Sequence, residues 1–300
     1  MSQQEDMCLS ENLRIGFYGV IDENKAMPEV VRREFKLEIY KEMREKTNIL
    51  WESQPFYFAW SLVFKNYDEY LSIKTKRQKL NVHPKILMGG DKPYLQMSDI
   101  SRATINFLAT ASTFLIVSQR LIKNYFGENS EIYTKWNLYR QDLHAKSNEY
   151  QVCYELRNFS QHYQIPLSGI NMDFRNGHSE GGDPYIIVDE LLTCGYNWKK
   201  VGVILESLES QVCLSELLAG YYDCLKELFL SGHMCFEGSI EMSRSYINEI
   251  IRNFDLPKEC TPIVFTLDPL ENDFNKLDQE YMPVGLHRFI DDITKQSTRC

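Results

Sequence analysis

The alternation of apolar and polar positions along the 300-residue chain predicts helices over most of its length. The clearest repeat follows Ser98, where apolar side chains recur every three to four residues as far as Tyr125. Gly127 ends this helix, and a second helix is predicted over residues 131–164, ended by Pro166. Because about three residues join these two long helices, we expect them to be antiparallel neighbours.

Weaker patterns predict further helices and a few short strands on either side of this helical pair. The further helices are predicted over residues 29–50, 55–73, 197–231 and 238–254. Short strands are predicted over residues 13–21 and 261–268, and a hairpin around a glycine-rich turn over residues 168–189. The expected fold class is therefore mainly α, with a small β-hairpin and short flanking strands.

A linker is predicted where the run HPKILMGGDKP, residues 83–93, brings two prolines and two glycines together. We therefore expect the chain to divide into three regions. An N-terminal α/β accessory region spans residues 1–97, a helical domain spans residues 98–254, and a C-terminal strand and tail span residues 255–300.

Composition and charge exclude several broad classes of protein. Aromatic residues make up 13% of the chain, which excludes wholesale disorder. The net charge of −9 argues against a protein that coats nucleic acid by bulk charge, although it is compatible with a local basic groove. Residues 1–12 are polar and acidic, unlike a signal peptide, and the apolar stretch at residues 107–117 is too short to span a bilayer. We therefore expect a cytoplasmic protein with no membrane partner, whose eight cysteines, none in a C-x-x-C pair, are reduced thiols.

One cation interrupts the apolar stripe near the end of the second predicted helix. Arg157 lies in the same sector of the helical wheel as Tyr150 and Tyr154, where the pattern requires an apolar side chain. Burying an unpaired guanidinium is costly, so Arg157 needs a partner or a function. Asn158 and His162 lie four residues apart on a neighbouring face, and His162 occupies the last turn of the helix.

These three side-chain types suit the cleavage of a phosphodiester. An arginine fork can hold phosphate oxygens and stabilise charge developing on phosphorus, and a histidine can exchange protons near neutral pH. With an asparagine to orient one of them, the set would let an RNA 2′-hydroxyl attack its own phosphate without a metal. Arg157 and His162 are five residues apart, so their directions differ by roughly 140° on a helix. Two motifs that face each other across a two-fold axis would converge better, which predicts a homodimer.

The motif resembles that of the HEPN superfamily, whose signature is R-x(4–6)-H with a polar residue, often Asn, after the arginine. Arg157, Asn158 and His162 match these three positions, late in the second of two long helices. The wider run at residues 156–166 is similar to that of a group of poorly characterised prokaryotic proteins. The resemblance covers about residues 98–254.

The resemblance implies an antiparallel helical bundle of HEPN type that dimerises through the motif helices. It further implies a metal-independent endoribonuclease that leaves 2′,3′-cyclic phosphate ends and requires no cofactor. Arg157, Asn158 and His162 would be its catalytic residues. Members often act in toxin–antitoxin or antiphage systems, so an antitoxin or other inhibitory partner is expected in addition to the RNA substrate.

Basic side chains on two parts of the chain predict a path for RNA. They are Lys74, Lys76, Arg77 and Lys79 before the linker, and Lys135, Arg140 and Lys146 on the motif helix. The commoner explanation of such basic runs is a solvated helix face, and that alternative stays open. His178, Glu180 and Asp183 lie in the glycine-rich turn, but no known ligand spacing joins them. We therefore expect a solvated turn there rather than a metal site.

Two alternatives to catalysis remain open for the motif. In the first, Arg157 forms a structural ion pair with Glu155, Asp142 or an acid on another helix, and His162 caps helix carbonyls. In the second, the fold is kept without catalysis. The same arginine and histidine would then bind nucleic acid or a protein partner.

Overall fold

The structure is a computed structural model that describes residues 13–22, 25–31, 33–78, 90–173, 180–265 and 279–299. Within these ranges the chain is mainly helical, as predicted. The eight helices are α1 (Leu37–Gln78), α2 (Lys92–Phe126), α3 (Glu131–Lys146), α4 (Asn148–His162), α5 (Val188–Thr193), α6 (Val201–Glu206), α7 (Leu214–Asn253) and α8 (Val284–Arg299). The seven strands are β1 (Arg14–Asp22), β2 (Lys25–Val30), β3 (Gly169–Asp173), β4 (Glu180–Ile187), β5 (Gln211–Cys213), β6 (Ile263–Phe265) and β7 (Gln279–Tyr281).

The strands form two small sheets in which all neighbours are antiparallel. One sheet has the strand order β2-β1-β6-β7 and the other has the order β3-β4-β5. The predicted hairpin is confirmed by the pairing of β3 with β4, in which Gly169 lies opposite Tyr185. β6 lies within the strand predicted over residues 261–268, and it pairs with both β1 and β7.

The chain divides into two compact units, whose limits fall inside two long helices. Phe56–His233 forms one unit, and Met1–Pro55 together with Met234–Cys300 forms the other. These limits differ from those predicted at residues 97 and 254, because α1 and α7 each run without a break from one unit into the other. Residues 83–89 of the predicted linker lie outside the described residues.

The core of the Phe56–His233 unit is aromatic and is formed by α1, α2 and α7. The Trp60 ring stacks on the Phe229 ring, with centroids 4.7 Å apart and planes 8° from parallel. Phe56 from α1 and Phe114 from α2 complete the cluster, and all four side chains are fully buried. Large aromatic side chains remove much apolar area from water, so this cluster is a principal source of stability for the unit.

One described helix, α2, is long and apolar enough by length and composition to cross a membrane. The expectation that no apolar stretch reaches that length is therefore wrong for this helix. However, 56% of its most apolar window is buried inside the protein, and α2 contacts both α3 and α4. The core helices of water-soluble proteins have the same composition, so this helix is weak evidence for a membrane span.

Two prolines lie where helices are predicted to start, Pro28 just before residue 29 and Pro55 at residue 55, and the structure places neither at a helix start. Pro28 lies within β2, opposite Tyr18, so the helix predicted over residues 29–50 begins only at Leu37. β2 is an edge strand, where the missing N–H of a proline costs no ladder hydrogen bond. Pro55 lies inside α1, which joins the two helices predicted on either side of it. The tertiary packing of α1 therefore outweighs the loss of one intrahelical hydrogen bond.

The second long helix of the predicted pair is in fact two helices, because Ser147 breaks it. Ser147 has extended backbone angles (φ −100°, ψ 118°), and its hydroxyl accepts a hydrogen bond of 3.0 Å from the Tyr150 N–H. It therefore ends α3 and caps the start of α4, which satisfies a backbone donor that would otherwise lack a partner. The first helix of the pair begins at Lys92 rather than near Ser98, with a proline in its first turn.

The helices predicted over residues 197–231 and 238–254 are also arranged differently. The first segment contains the short helix α6 and the strand β5, and α7 then begins at Leu214. α7 continues through Gly238 to its end at Asn253, and a Cβ at Gly238 would meet nothing within 4 Å. This glycine is tolerated in the helix interior and does not mark a helix start. β5 pairs with β4 and extends the predicted hairpin to three strands.

In the other unit, polar contacts tie α8 and the four-stranded sheet to the long helices. Tyr40 of α1 donates a hydrogen bond of 2.7 Å to Glu280 of β7, and an Arg244 nitrogen of α7 lies 2.5 Å from an Asp291 oxygen of α8. His287 is buried, and burial together with the nearby Arg244 charge lowers its pKa to about 4. The C-terminal region predicted as a strand and tail thus contributes a sheet edge and a packed helix.

Phe56 and Phe58 lie two residues apart on α1 and offer a matched test of the aromatic core. Phe56 is 0% exposed, whereas Phe58 is 48% exposed. We expect Phe56→Ala to lower the free energy of unfolding by about 3–5 kcal/mol, because it leaves a cavity among packed rings. Phe58→Ala should cost less than about 1 kcal/mol. Urea denaturation followed by circular dichroism measures both losses, and equal losses would contradict the assignment of the core.

Candidate active site

The three motif residues lie on α4, a helix that is anchored along one side. Its buried apolar face consists of Tyr150, Val152, Cys153, Leu156 and Phe159. α4 contacts α2, α3 and α6, all within the Phe56–His233 unit. Because the buried face fixes the rotation of the helix, it also fixes the directions in which Arg157, Asn158 and His162 leave it.

Arg157 is half-buried and is oriented by the residue that follows it. Its Nη1 donates a hydrogen bond of 3.0 Å to Asn158 Oδ1, and Asn158 Nδ2 in turn donates a bond of 3.3 Å to Glu155 Oε2. The Nε of Arg157 is buried without a hydrogen-bond partner, and no carboxylate of the described residues forms an ion pair with it. The structural alternative of a direct pair with Glu155 or Asp142 is therefore wrong, because Asn158 stands between Arg157 and Glu155 and because Asp142 pairs with Lys146.

Glu155 supplies the buried carboxylate at the centre of this network. Glu155 is only 5% exposed. Its Oε1 accepts a hydrogen bond of 2.6 Å from the Tyr196 hydroxyl and lies 3.5 Å from the Lys199 Nζ. Burial and the neighbouring carboxylate raise the pKa of Tyr196 to about 12, so the hydroxyl stays protonated and keeps donating. Glu155 thus has a donor on each oxygen, as a buried carboxylate requires.

Lys199 reaches Glu155 from an unusual backbone conformation. Its φ is 52°, in the left-handed region, and its N–H donates a hydrogen bond of 3.0 Å to Asn197 Oδ1. A non-glycine residue keeps this conformation only where neighbouring contacts hold it. The segment after α5 is therefore shaped so that Tyr196 and Lys199 both reach the same carboxylate.

Sequence reasoning considered Glu155 only as a partner for Arg157 and missed Tyr196 and Lys199 altogether. A signal for Glu155 was present, because it lies directly before the apolar Leu156 on the buried side of the helix. Tyr196 and Lys199 follow Glu155 by 41 and 44 residues and belong to no periodic pattern. Only the tertiary fold brings them to the motif.

His162 occupies the last turn of α4 and is exposed. Within the described residues its side chain has no hydrogen-bond partner, and no hydrogen bond joins it to Arg157. The end of the helix is held instead by aromatic side chains. The Phe159 and Trp198 rings lie 5.0 Å apart, and the Tyr163 hydroxyl donates to the Cys194 carbonyl.

Two clefts open on the surface of α2, and one of them borders the end of α4. The first has a volume of about 610 Å³ and lies between α2 and the segment that follows His162, with Gln164, Ile165 and Leu167 in its wall. The second has a volume of about 600 Å³ and lies between α1 and α2. Arg102 lines both clefts, and neither Arg157 nor His162 lines either one.

Most cations of the predicted RNA path have local partners. The ion pairs are Lys74 with Asp183 at 2.5 Å, Lys135 with Glu131 at 2.6 Å, and Lys146 with Asp142 at 2.6 Å. Arg140 donates to Asn137 Oδ1 at 2.9 Å, and Lys76 lines the second cleft. The side chain of Arg77 and the whole of Lys79 lie outside the described residues. Because neighbouring carboxylates neutralise three of these lysines, the solvated-face explanation is favoured for them.

The described part of the chain contains no group of three or more His, Cys, Asp or Glu side chains that could hold a metal ion. Of the turn residues considered for a metal, His178 and the side chain of Glu180 lie outside the described residues, and Asp183 pairs with Lys74. Six described cysteines are free thiols, and burial raises the pKa of the Cys153 thiol. Cys153 is therefore a core side chain and not a reactive one.

Replacing Glu155 tests whether its carboxylate holds the network together. We expect Glu155→Ala to lower the free energy of unfolding by about 2 kcal/mol, because the Tyr196 hydroxyl and the Asn158 amide lose their acceptor. The matched control is Glu206→Ala, since Glu206 is exposed, and its cost should be within about 0.5 kcal/mol. Urea denaturation of both variants measures the difference, and equal stabilities would show that the network contributes nothing.

Comparisons with known proteins assign no family to this chain. No protein-family model matches it, no curated protein matches it, and no solved structure matches it. The resemblance to the HEPN superfamily therefore rests on Arg157, Asn158 and His162 and on the helix that carries them. The function argued from these residues is accordingly a proposal.

Proposed function

We propose that this protein is a metal-independent endoribonuclease of HEPN type that acts as a homodimer. The observation that carries the proposal is the set of contacts that the Arg157 guanidinium makes. Asn158 orients it, and among the residues described no carboxylate forms an ion pair with it, so its positive charge can bind a phosphate. A half-buried arginine with a purely structural role would instead be expected to pair directly with an acid.

In this proposal Arg157 binds the phosphate and stabilises the negative charge that develops on phosphorus. His162 takes the proton from the RNA 2′-hydroxyl or gives a proton to the leaving 5′-oxygen. The 2′-oxygen bonds to phosphorus and the bond from phosphorus to the 5′-oxygen breaks, which leaves a 2′,3′-cyclic phosphate and a 5′-hydroxyl. Asn158 holds the guanidinium in place. The step needs no metal, because the arginine supplies the positive charge.

The exposed face of α4 supports a dimer through the motif helices. Tyr154 is 43% exposed. Tyr154, Asn158 and His162 are spaced by four residues, so they share one stripe of the helix. The exposed Tyr154 ring on this stripe suits contact with a second copy across a two-fold axis. Arg157 of one protomer and His162 of its partner would then act on the same phosphate.

A ribonuclease of this kind harms its host unless it is restrained. The proposal therefore includes a role as a toxin or antiphage effector, acting on RNA in the cytoplasm. An antitoxin or other inhibitory partner would hold it inactive until it is needed.

Incubation of the purified protein with single-stranded RNA in excess EDTA tests the proposed activity. The wild type is expected to cleave the RNA and to leave 2′,3′-cyclic phosphate ends. Arg157→Ala and His162→Ala should each slow cleavage by at least about 100-fold. Arg120→Ala is the matched control, because Arg120 is exposed on α2, and it should cleave as the wild type does.

Cleavage that depends on an added metal, or that survives both motif substitutions, would rule out this mechanism. A second candidate function is a HEPN-like dimer without catalysis that binds nucleic acid or a protein partner. The link from Arg157 through Asn158 to the buried Glu155 is the observation that favours it, since the network also has a structural role. That candidate predicts intact dimers that cleave no RNA, and Arg157→Ala would weaken dimerisation.

A further inference from the structure

The first cleft on α2 is built from one face of that helix and from the chain just beyond the motif. The α2 residues that line it are Met97, Ser98, Ser101, Arg102, Ile105 and Asn106, which follow the spacing of a single helix face. The opposite face of the helix, which includes Ala103 and Phe107, is buried in the core. Because the core holds α2 from behind, the wall of the cleft is preformed.

Charge distinguishes this cleft from its neighbour. Arg102 is the one charged side chain among the described residues that line the first cleft, and no acid lines it there. The second cleft carries three cations and three carboxylates in its wall, the latter being Asp68, Glu69 and Asp99. Carboxylates repel phosphate oxygens, so the second cleft is a poor phosphate site. The first cleft has no carboxylate in its described wall that would repel a phosphate.

Arg102 is held at the rim that the two clefts share. Its Nη2 lies 2.9 Å from a Glu69 oxygen, and both side chains are about half exposed. One carboxylate thus fixes the guanidinium through one nitrogen. A guanidinium has five N–H donors, so Arg102 can bind an anion in the first cleft while it keeps its contact with Glu69.

The rest of the lining combines apolar walls with amide groups. Met97, Ile105, Ile165 and Leu167 supply apolar surface, and Asn106 and Gln164 supply amides that both donate and accept hydrogen bonds. A nucleobase has matching chemistry, with two apolar faces and an edge of donors and acceptors. The volume of about 610 Å³ lies in the range of small-ligand sites.

The cleft also lies close to the proposed chemistry. Gln164 follows His162 by two residues, so their backbones are at most about 7 Å apart. We infer that the first cleft binds the nucleotide adjacent to the scissile phosphodiester. Its base lies between the apolar walls, its edge is read by Asn106 and Gln164, and its own phosphate is held by Arg102. This inference rests on the proposed function and adds its substrate-binding site and a source of base preference.

Binding of RNA to a non-cleaving protein tests the inference. The full chain carrying His162→Ala is titrated, in EDTA, against fluorescein-labelled octamers of A, C, G and U, and anisotropy is measured. We expect the four octamers to bind with different affinities. Arg102→Gln should weaken all four by about tenfold, and Arg102→Lys should restore most of the loss, which excludes misfolding as its cause. Asn106→Leu and Gln164→Leu should each weaken the preferred octamer about fivefold and flatten the preference.

Lys65→Gln is the matched control, because Lys65 is exposed and lines only the second cleft. It should change each dissociation constant by less than about twofold. The inference is overturned if Lys65→Gln weakens binding as much as Arg102→Gln, if the two leucine variants keep the wild-type preference, or if no octamer binds.

The same substitutions are also made in the otherwise wild-type chain, which keeps His162. RNA cleavage by these variants separates the two proposals. If RNA cleavage requires His162 but its rate is unchanged by substitution of Arg102, Asn106 or Gln164, the proposed function is supported and the cleft assignment is overturned. If the octamers bind in the expected pattern but no RNA is cleaved, the cleft assignment is supported and the proposed ribonuclease activity is overturned.

Discussion

The buried carboxylate of Glu155 is the interaction on which the arrangement of the motif helix depends. A carboxylate this far from water is tolerated only when donors satisfy its oxygens, and here the donors come from Tyr196, Lys199 and Asn158. Two of these donors lie on the segment after α5, so the carboxylate fastens that segment to α4. The third donor, Asn158, also accepts a hydrogen bond from Arg157 and so orients the guanidinium.

This arrangement explains how an arginine can lie in an apolar stripe without a direct ion pair. Asn158 lies between Arg157 and Glu155 in the hydrogen-bond network. An amide and not a carboxylate therefore fixes the direction of the guanidinium. The aromatic contacts of Phe159 with Trp198 hold the same end of α4 from the other side, next to His162 and the first cleft.

The sequence predicts much of the helical part of the fold, because the apolar side chains that recur on one face of a helix are the ones that pack into the core. The stripe after Ser98 forms the buried face of α2, and the aromatic residues near Trp60 form the core. The errors arise where tertiary contacts override local signals. Pro55 signals a helix start but lies inside α1, and Ser147 caps a new helix inside what reads as one continuous stripe.

In the candidate site too, the sequence reveals the residues that lie close together along the chain and not those that only the tertiary fold brings together. Arg157, Asn158 and His162 are visible in the sequence because they are close together and interrupt a regular pattern. Tyr196 and Lys199 cannot be found from the sequence, since their contacts with Glu155 span 41 and 44 residues.

We propose that Arg157 of one protomer and His162 of its partner act on the same phosphate. Mixing the Arg157→Ala and His162→Ala proteins, each inactive alone, tests it most directly, because mixed dimers carry one intact arginine and one intact histidine on opposite subunits. About half of the dimers are mixed and each has one complete site, so the account predicts recovery of roughly a quarter of the wild-type ribonuclease activity. Mixed dimers that form and yet stay as inactive as either parent would contradict it.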